Sequence, residues 1–215
     1  EAQLKETPTE AMIAALDMPQ GGWSQAARED ALARVRTMGL PQRRDEYWKF
    51  TRPDTLTQPE AQPAAIFDHG EAPLFDDTDR LRIVFVDGEF DAEASDDLAL
   101  EGVSIERLAA ADSDLHWARD LYGALEKNGQ TPVQRPLAAL NTAFASDGVL
   151  IHVTGQVSKP INLVYTHKSE TSDAMLHHVV KLEKGAEVTL LENGPAAARF
   201  NTVMEVEVAD TARFH

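Results

Sequence analysis

The last third of the chain constrains the fold most, because short β-rich runs follow one another there with no helix-length segment between them. Glycine and proline residues separate the runs, as is typical of turns. This pattern argues against βαβ units and leaves a sandwich, a barrel or a solenoid. The predicted strands are Val149–Val153, Ile161–Tyr165, Leu176–Leu182, Glu187–Glu192 and Thr202–Val208.

The first part of the chain is predicted to be mainly helical. Gly39 and Pro41 are expected to end the longest of these helices. A strand is predicted at Leu81–Val86, with Asp87-Gly88 as its turn, and residues 52–79 are expected to be irregular because they contain four prolines. The predicted helical segments are Glu10–Leu16 capped by Thr9, Ser24–Met38, a turn at Asp96–Leu100, Leu115–Lys127 and Pro136–Ala145.

Helices followed by strands predict an α+β protein with two parts. The charge supports a boundary near residue 130, since residues 76–130 carry 5 basic and 15 acidic side chains and the remainder is nearly balanced. We therefore predict a helical and mixed domain over residues 1–130 and a β-rich domain over residues 131–215. Because the chain stops directly after a strand, which would leave an open sheet edge, we expect it to be one piece of a larger polypeptide.

Composition excludes several classes of function. The 215 residues carry a formal charge of −16, which disfavours nucleic-acid binding through a basic face. The chain has no cysteine and therefore no thiolate with which to bind zinc or an iron–sulfur cluster. Its apolar runs are too short to span a bilayer, and its start is too polar for a signal peptide, so we expect no membrane partner.

Two adjacent histidines, His177 and His178, are the most suggestive candidates for a metal site. With Glu183 and Glu192 they give a pattern similar to that of cupin enzymes, and a cupin-like metal-dependent enzyme is the alternative function. However, neighbours on a strand point to opposite faces, so the two cannot bind one ion without a bulge. The favoured interpretation places one structural histidine inward and one outward, and predicts no catalytic, cofactor-binding or metal-binding residue.

A second candidate is the charged and aromatic cluster Arg43–Thr51. Tyr47, Trp48 and the arginines are of the kinds that dominate protein interfaces, so they are candidates for a partner anchor. The alternative is that the aromatic residues dock the helical part on its own domain, and this structural interpretation is favoured because aromatic side chains supply core area as readily as interface area.

Four segments carry a resemblance to a known family. Residues 39–51 (GLPQRRDEYWKFT) resemble the amino-terminal signature of the SufD family, whose members are scaffold components of iron–sulfur cluster assembly. Residues 140–149 (LNTAFASDGV) resemble the entry to that family's β-helix, and residues 159–165 and 185–192 are also similar. The SufD family is in turn similar to its paralogue SufB, so the resemblance extends to the pair.

The resemblance implies an amino-terminal helical domain followed by the first rungs of a right-handed parallel β-helix. It implies a non-enzymatic scaffold that pairs with a SufB-like paralogue and docks a SufC-like ATPase through a carboxy-terminal domain not present here. The iron–sulfur cluster would form transiently in the full, cytoplasmic complex, and this segment would bind no cofactor itself. The family's proposed cluster-site residues lie beyond residue 215, so none is assigned to this chain.

Overall fold

The computed structural model describes residues 2–67 and 73–215. All of its helical elements lie in the first 144 residues, together with three strands, and the predicted α+β class is confirmed. The α-helices are α1 (Ala2–Ala14), α2 (Gln25–Met38), α3 (Asp54–Thr57), α4 (Ala124–Asn128) and α5 (Pro136–Phe144), with short 3₁₀ helices at Glu46–Trp48, Leu108–Ala110 and Trp117–Asp120.

The amino-terminal helix differs from its prediction at its start. α1 begins at Ala2, and Pro8 and Thr9 lie inside it. The predicted cap at Thr9 is therefore wrong. The Thr9 hydroxyl instead accepts a hydrogen bond from the amide of Leu40, at 3.0 Å, which joins α1 to the segment that follows α2. A long-range contact thus uses the side chain that the local pattern assigned to a cap.

The second helix follows its prediction closely. α2 ends at Met38, and Gly39 adopts a φ of +67° while its amide donates to the carbonyl of Val35. This left-handed backbone angle suits glycine, as expected for the residue after a helix. The apolar face of α2 buries Ala31 and Val35 against α1 and α5 in one core cluster.

The proline-rich segment 52–79, predicted to be irregular, contains one short helix. α3 begins directly after Pro53 and ends at Thr57. The remaining described residues of the segment form turns, bends or extended chain without a strand. Residues 68–72 of the segment lie outside the described residues.

The long helix predicted over Leu115–Lys127 is wrong. The structure has two shorter elements there, the 3₁₀ helix at 117–120 and then α4, and Gly123 between them has a φ of +77°. A left-handed residue cannot continue a right-handed helix, so the chain turns at this point. The helical turn predicted at Asp96–Leu100 is also absent, because that stretch is irregular and ends in an isolated bridge between Leu100 and Val103.

Ten strands occur in the described residues, and the predicted positions are recovered with small shifts. Only the predicted run at 187–192 is divided, because Thr189 separates two strands that belong to different sheets. The strands are β1 (Leu81–Val86), β2 (Glu89–Phe90), β3 (Val103–Arg107), β4 (Val149–Val153), β5 (Ile161–Thr166), β6 (Asp173–Leu182), β7 (Glu187–Val188), β8 (Leu190–Asn193), β9 (Arg199–Val208) and β10 (Arg213–Phe214).

The strands form three open sheets in the part of the chain that the structure describes. Their orders are β2-β1-β5-β8, β3-β4-β6-β9 and β10-β7. Strands β4, β6 and β9 run parallel, as do β1, β5 and β8, whereas β2 and β3 are antiparallel to their neighbours. None of these sheets closes into a barrel.

The chain returns to the same sheet at a nearly constant interval. Asn162 lies beside Leu191 on the next strand of its sheet, an interval of 29 residues. In the other large sheet, Leu150 lies beside Val179 at the same spacing, and Asp173 lies beside Arg199 after 26 residues. Successive turns of chain therefore stack on one another, and the apolar side chains of the two larger sheets share one buried core.

The division predicted at residue 130 stays a prediction. Strand β1 lies before that point and pairs in parallel with β5 after it, with Leu81 opposite Ile161. Helix α2 and helix α5 likewise pack together across it.

Candidate functional site

His177 and His178 lie in the middle of β6, and both side chains are completely buried. The predicted opposite directions are confirmed: His177 contacts residues of the helical part, and His178 contacts the sheet that contains β5. The outward histidine of the sequence prediction is not exposed, however, because α4 and α5 cover that face of β6. The strand is therefore buried on both faces.

Both ring nitrogens of His177 contact buried polar side chains. The amide nitrogen of Asn141 donates to the carbonyls of Leu176 (2.9 Å) and Asn201 (3.0 Å), which leaves its oxygen facing His177 Nδ1 at 3.0 Å. His177 Nε2 lies 2.5 Å from Glu205 Oε1. Both ring nitrogens thus face side-chain oxygens of other elements.

Glu205 is the buried carboxylate partner of His177. Burial raises the pKa of its carboxyl, but hydrogen bonds from His177 and from the amides of Glu126 and Gly123 outweigh burial and hold the pKa below its usual value. The amide contacts measure 2.9 Å to Glu126 and 2.6 Å to Gly123, at the start of α4. The carboxylate therefore joins β9 and β6 to the helical layer.

Aromatic and cationic side chains cover this pair. The Tyr122 ring lies over His177 with a centroid distance of 4.2 Å, and its hydroxyl donates to the carbonyl of Thr142 at 2.7 Å. Arg28 of α2 lies 5.3 Å from the Tyr122 ring centroid and donates to the carbonyls of Ala143 and Ala145. These contacts seal the pair from water and connect α2 to the end of α5.

The protonation state of His178 follows from its hydrogen bonds and its burial. Its Nδ1 accepts a hydrogen bond from the amide of Val149 at 3.0 Å, so its proton lies on Nε2, which donates to the Tyr165 hydroxyl at 2.9 Å. Burial and the neighbouring His177 lower the pKa of His178 to about 3. This histidine is therefore neutral at ordinary pH.

Tyr165 continues the chain of hydrogen bonds to the surface. Its hydroxyl donates to Glu192 Oε1 at 2.7 Å, and Glu192 is exposed. Burial first, and then the Glu192 carboxylate, raise the pKa of Tyr165, so the phenol keeps its proton and remains a donor. Every polar atom of the two histidine rings thus has a structural partner.

This arrangement does not resemble a metal centre. Among residues 2–67 and 73–215, no group of three or more histidine, aspartate or glutamate side chains is placed to hold an ion. Glu183, the other carboxylate of the predicted pattern, contacts His152 at 2.8 Å instead of either buried histidine. With its open sheets as well, the geometry gives no support to the cupin-like alternative.

The sequence interpretation missed Glu205 and Asn141. Neither is near His177 in sequence, since they lie 28 residues after it and 36 residues before it. One signal was present: the nearly constant interval between paired strand positions brings Glu205 onto the strand beside His177. The residue directly opposite His177 is Val203, however, so the spacing indicates the neighbouring strand but not Glu205 itself.

The favoured interpretation of residues 43–51, that their aromatic side chains dock the helical part on its own domain, is wrong for two of these side chains. Tyr47 is 71% exposed and Phe50 is 91% exposed, so neither docks the helical part on its own domain. Trp48 is partly buried at the end of the short 3₁₀ helix. The cluster is therefore a surface feature.

Comparison with known proteins identifies part of the chain. Residues 75–163 match the family model described as the SufBD protein N-terminal region. This part of the chain is similar to a SufBD amino-terminal region. The matched region contains β1 to β4 and the first three residues of β5.

A curated relative agrees with the family model. The chain is 31% identical over 93 residues to the iron–sulfur cluster assembly protein SufD of Bacillus subtilis (strain 168). This match covers 40% of the chain and 21% of that relative. The resemblance that the sequence predicts is confirmed for the SufD and SufB family. Within the described residues, none of the helices has the length and apolar character needed to cross a membrane.

Proposed function

We propose that this chain is part of a scaffold protein for iron–sulfur cluster assembly and is not itself an enzyme. The observation that carries the proposal is the SufBD match over residues 75–163, together with the relative named as an assembly protein. The buried histidines support it, because His177 and His178 use their ring nitrogens in hydrogen bonds that join structural elements.

We also propose that the stacked sheets are the first rungs of a right-handed parallel β-helix. Two features support this: paired positions recur at a nearly constant interval, and each turn of chain adds one strand to each of the larger sheets. Each rung of such a solenoid buries its apolar face against its neighbours. In the described sheets, β8 and β9 are edge strands.

The partners follow from the family. We propose that the protein pairs with a SufB-like paralogue and associates with a SufC-like ATPase through parts beyond residues 1–215. The cluster would then be the cargo of the assembled complex, and this chain would contribute support without binding a cofactor of its own. We place the complex in the cytoplasm.

Co-expression of the protein that contains this chain with its SufB-like and SufC-like counterparts tests the proposal. We expect the three proteins to purify together through an affinity tag on one of them, and the complex to accept an iron–sulfur cluster on reconstitution. Recovery of the tagged protein alone, under conditions in which the other two are soluble, would contradict the proposed partnership.

Metal analysis of the isolated protein tests the enzymatic alternative. A scaffold of this kind is expected to contain no stoichiometric metal ion. Tightly bound metal that disappears in the His178→Ala variant would favour the cupin-like enzyme and overturn the scaffold proposal. The Glu183→Ala variant serves as a second check, because Glu183 belongs to the cupin-like pattern but contacts neither buried histidine.

A further inference from the structure

One surface combines exposed aromatic side chains with an apolar groove. Residues 42–52, called here the aromatic-basic segment, follow α2 and contain the 3₁₀ helix at 46–48. Tyr47 and Phe50 project from this segment with most of their surface in solvent. Phe50 is the most exposed of the large apolar side chains that the structure describes, and it lies three residues from Tyr47.

The groove lies where this segment meets the start of α5. Tyr47, Trp48 and Thr51 form one wall and residues 133–137 form the other, around a volume of about 430 Å³. A second groove of about 300 Å³ adjoins it and shares Tyr47, Trp48, Val133 and Pro136. Tyr47 and Trp48 therefore border both grooves.

Charge distinguishes this surface from the rest of the chain. The aromatic-basic segment carries four basic and two acidic residues, whereas the whole chain has a formal charge of −16. Asp45 is already paired with Lys5, at 2.6 Å. Among the described residues Arg43, Arg44 and Arg52 make no ion pair, and all three are exposed.

Arginine beside exposed aromatic residues is the composition of an interface anchor. Unpaired guanidinium groups attract carboxylates, and the apolar groove accepts aliphatic or aromatic side chains. A second copy of this chain is disfavoured as the occupant, because two chains of charge −16 repel each other at long range. The surface is therefore complementary to a short acidic stretch that also carries apolar residues.

We propose that the aromatic-basic segment and the groove beside it form a docking site for an acidic segment of a different protein. Tyr47, Trp48 and Phe50 hold the apolar side chains of that segment, and Arg43, Arg44 and Arg52 hold its carboxylates. The site is independent of the buried histidines, since neither His177 nor His178 borders the groove.

Fluorescence anisotropy with the full chain tests this proposal. The probe is a labelled peptide in which Asp and Glu alternate with Leu and Phe, and its matched control carries Lys in place of each acidic residue. We expect the acidic peptide to bind and the lysine peptide not to bind. Affinity for the acidic peptide should fall as salt is added, because the guanidinium–carboxylate contacts are exposed to solvent.

Variants locate the binding. Phe50→Ala and Arg44→Glu should each lower the affinity for the acidic peptide by about tenfold, the loss typical of an interface anchor. Matched controls are Leu115→Ala and Arg119→Glu, which change exposed side chains outside both the aromatic-basic segment and the grooves and should leave binding unchanged. All four positions are exposed, so the variants should fold, and circular dichroism checks this.

Three results would overturn the proposal. The first is equal binding of the acidic and lysine peptides. The second is an equal affinity of the Phe50→Ala and Leu115→Ala variants for the acidic peptide. The third is a dimeric wild-type chain that Phe50→Ala converts to a monomer in light scattering, since the surface would then be occupied by a second copy.

Discussion

His177 Nε2 lies 2.5 Å from Glu205 Oε1, and this contact joins two neighbouring parallel strands inside the protein. The two positions are diagonal to each other, because Glu205 lies opposite Val179, two residues beyond His177 on β6. Both side chains are buried, and both use their remaining polar atoms to contact α4 or α5. The pair is therefore a junction between the helical layer and the stacked strands.

Removal of one member of this pair should be costly. In Glu205→Ala the buried His177 ring and the amides of Gly123 and Glu126 would lose their acceptor, and breaking a buried pair in this way costs about 3–5 kcal/mol of unfolding free energy. Urea unfolding measures the change. Glu207→Ala is the matched control, because Glu207 lies two residues after Glu205 on β9 and is exposed. This variant should change the free energy of unfolding by about 0.5 kcal/mol or less. Equal stability of the two variants would refute the role of the pair.

His178 predicts a specific dependence of stability on pH. Its pKa falls from 6.5 to about 3 on folding, so between these values the unfolded chain binds the proton and the native protein does not. The stabilising effect is complete above pH 6.5 and is lost as the pH falls towards 3, by at most about 1.4 kcal/mol per pH unit. His178→Gln should remove this contribution, because glutamine has no proton to gain in this range.

The unfolding free energy is measured between pH 6.5 and pH 4 for the wild type and for His178→Gln, and its slope against pH is compared between the two proteins. Groups that do not interact with His178 contribute equally to both proteins, so the difference in slope reports on His178 and its coupling to neighbouring groups. The His178 imidazole signals in an NMR titration provide a second readout, and a midpoint near 6.5 in the native protein would contradict the prediction.

Local patterns predicted the strands and the longest helix well. Val149–Val153 and Leu81–Val86 are continuous apolar runs bounded by turn residues, and both strands have the predicted limits. Gly39 ends α2 as predicted, because its position after an amphipathic helix is a local signal. These elements depend on neighbouring residues in the sequence, and such information is present in a single chain.

The elements that differ from prediction depend on distant residues or on single backbone angles. Leu115–Lys127 has a helical composition, but Gly123 takes a left-handed angle while its amide binds Glu205, 82 residues away. Thr9 bonds to Leu40 rather than capping a helix. The opposite directions of His177 and His178 follow from strand geometry, whereas their partners arise from the stacking of strands and could not be read from spacing alone.

Arg199 should control the attachment of the segment after α3. Its guanidinium forms a two-pronged contact with Asp173 and also donates to the carbonyls of Thr55, Gln58 and Pro59. The Arg199 side chain is buried whereas Asp173 is exposed, so Arg199→Ala should cost roughly 1.5–3 kcal/mol, the range for losing hydrogen bonds that involve a charged group. Residues 55–59 should also lose their attachment to β9.

Hydrogen exchange followed by mass spectrometry measures that local effect. Exchange of peptides that cover residues 52–60 should accelerate in Arg199→Ala before global unfolding. Arg213→Ala is a suitable control, because Arg213 is exposed and its nearest carboxylate contact, with Glu187, is 3.9 Å long. If residues 52–60 exchange at the same rate in both variants, Arg199 does not hold the segment.

Gly148 should tolerate a methyl group poorly. It directly precedes β4, and a Cβ there would lie 1.8 Å from the carbonyl oxygen of His177 on β6. Gly148 and the carbonyl of His177 both belong to the backbone, so neither can move without separating β4 from β6. Gly148→Ala should therefore cost at least as much as the roughly 1–3 kcal/mol typical of overpacking, with loss of soluble protein as the extreme result.

Gly155→Ala provides the matched comparison, because an added methyl group there would lie at an ordinary contact distance of 3.4 Å from its nearest neighbour, the Cα of Gly102. We expect its melting temperature to stay within a few degrees of the wild type. Soluble yield and melting temperature of the two variants measure the difference. A Gly148→Ala protein as stable as Gly155→Ala would mean that β4 and β6 do not approach each other as closely as the stacked arrangement requires.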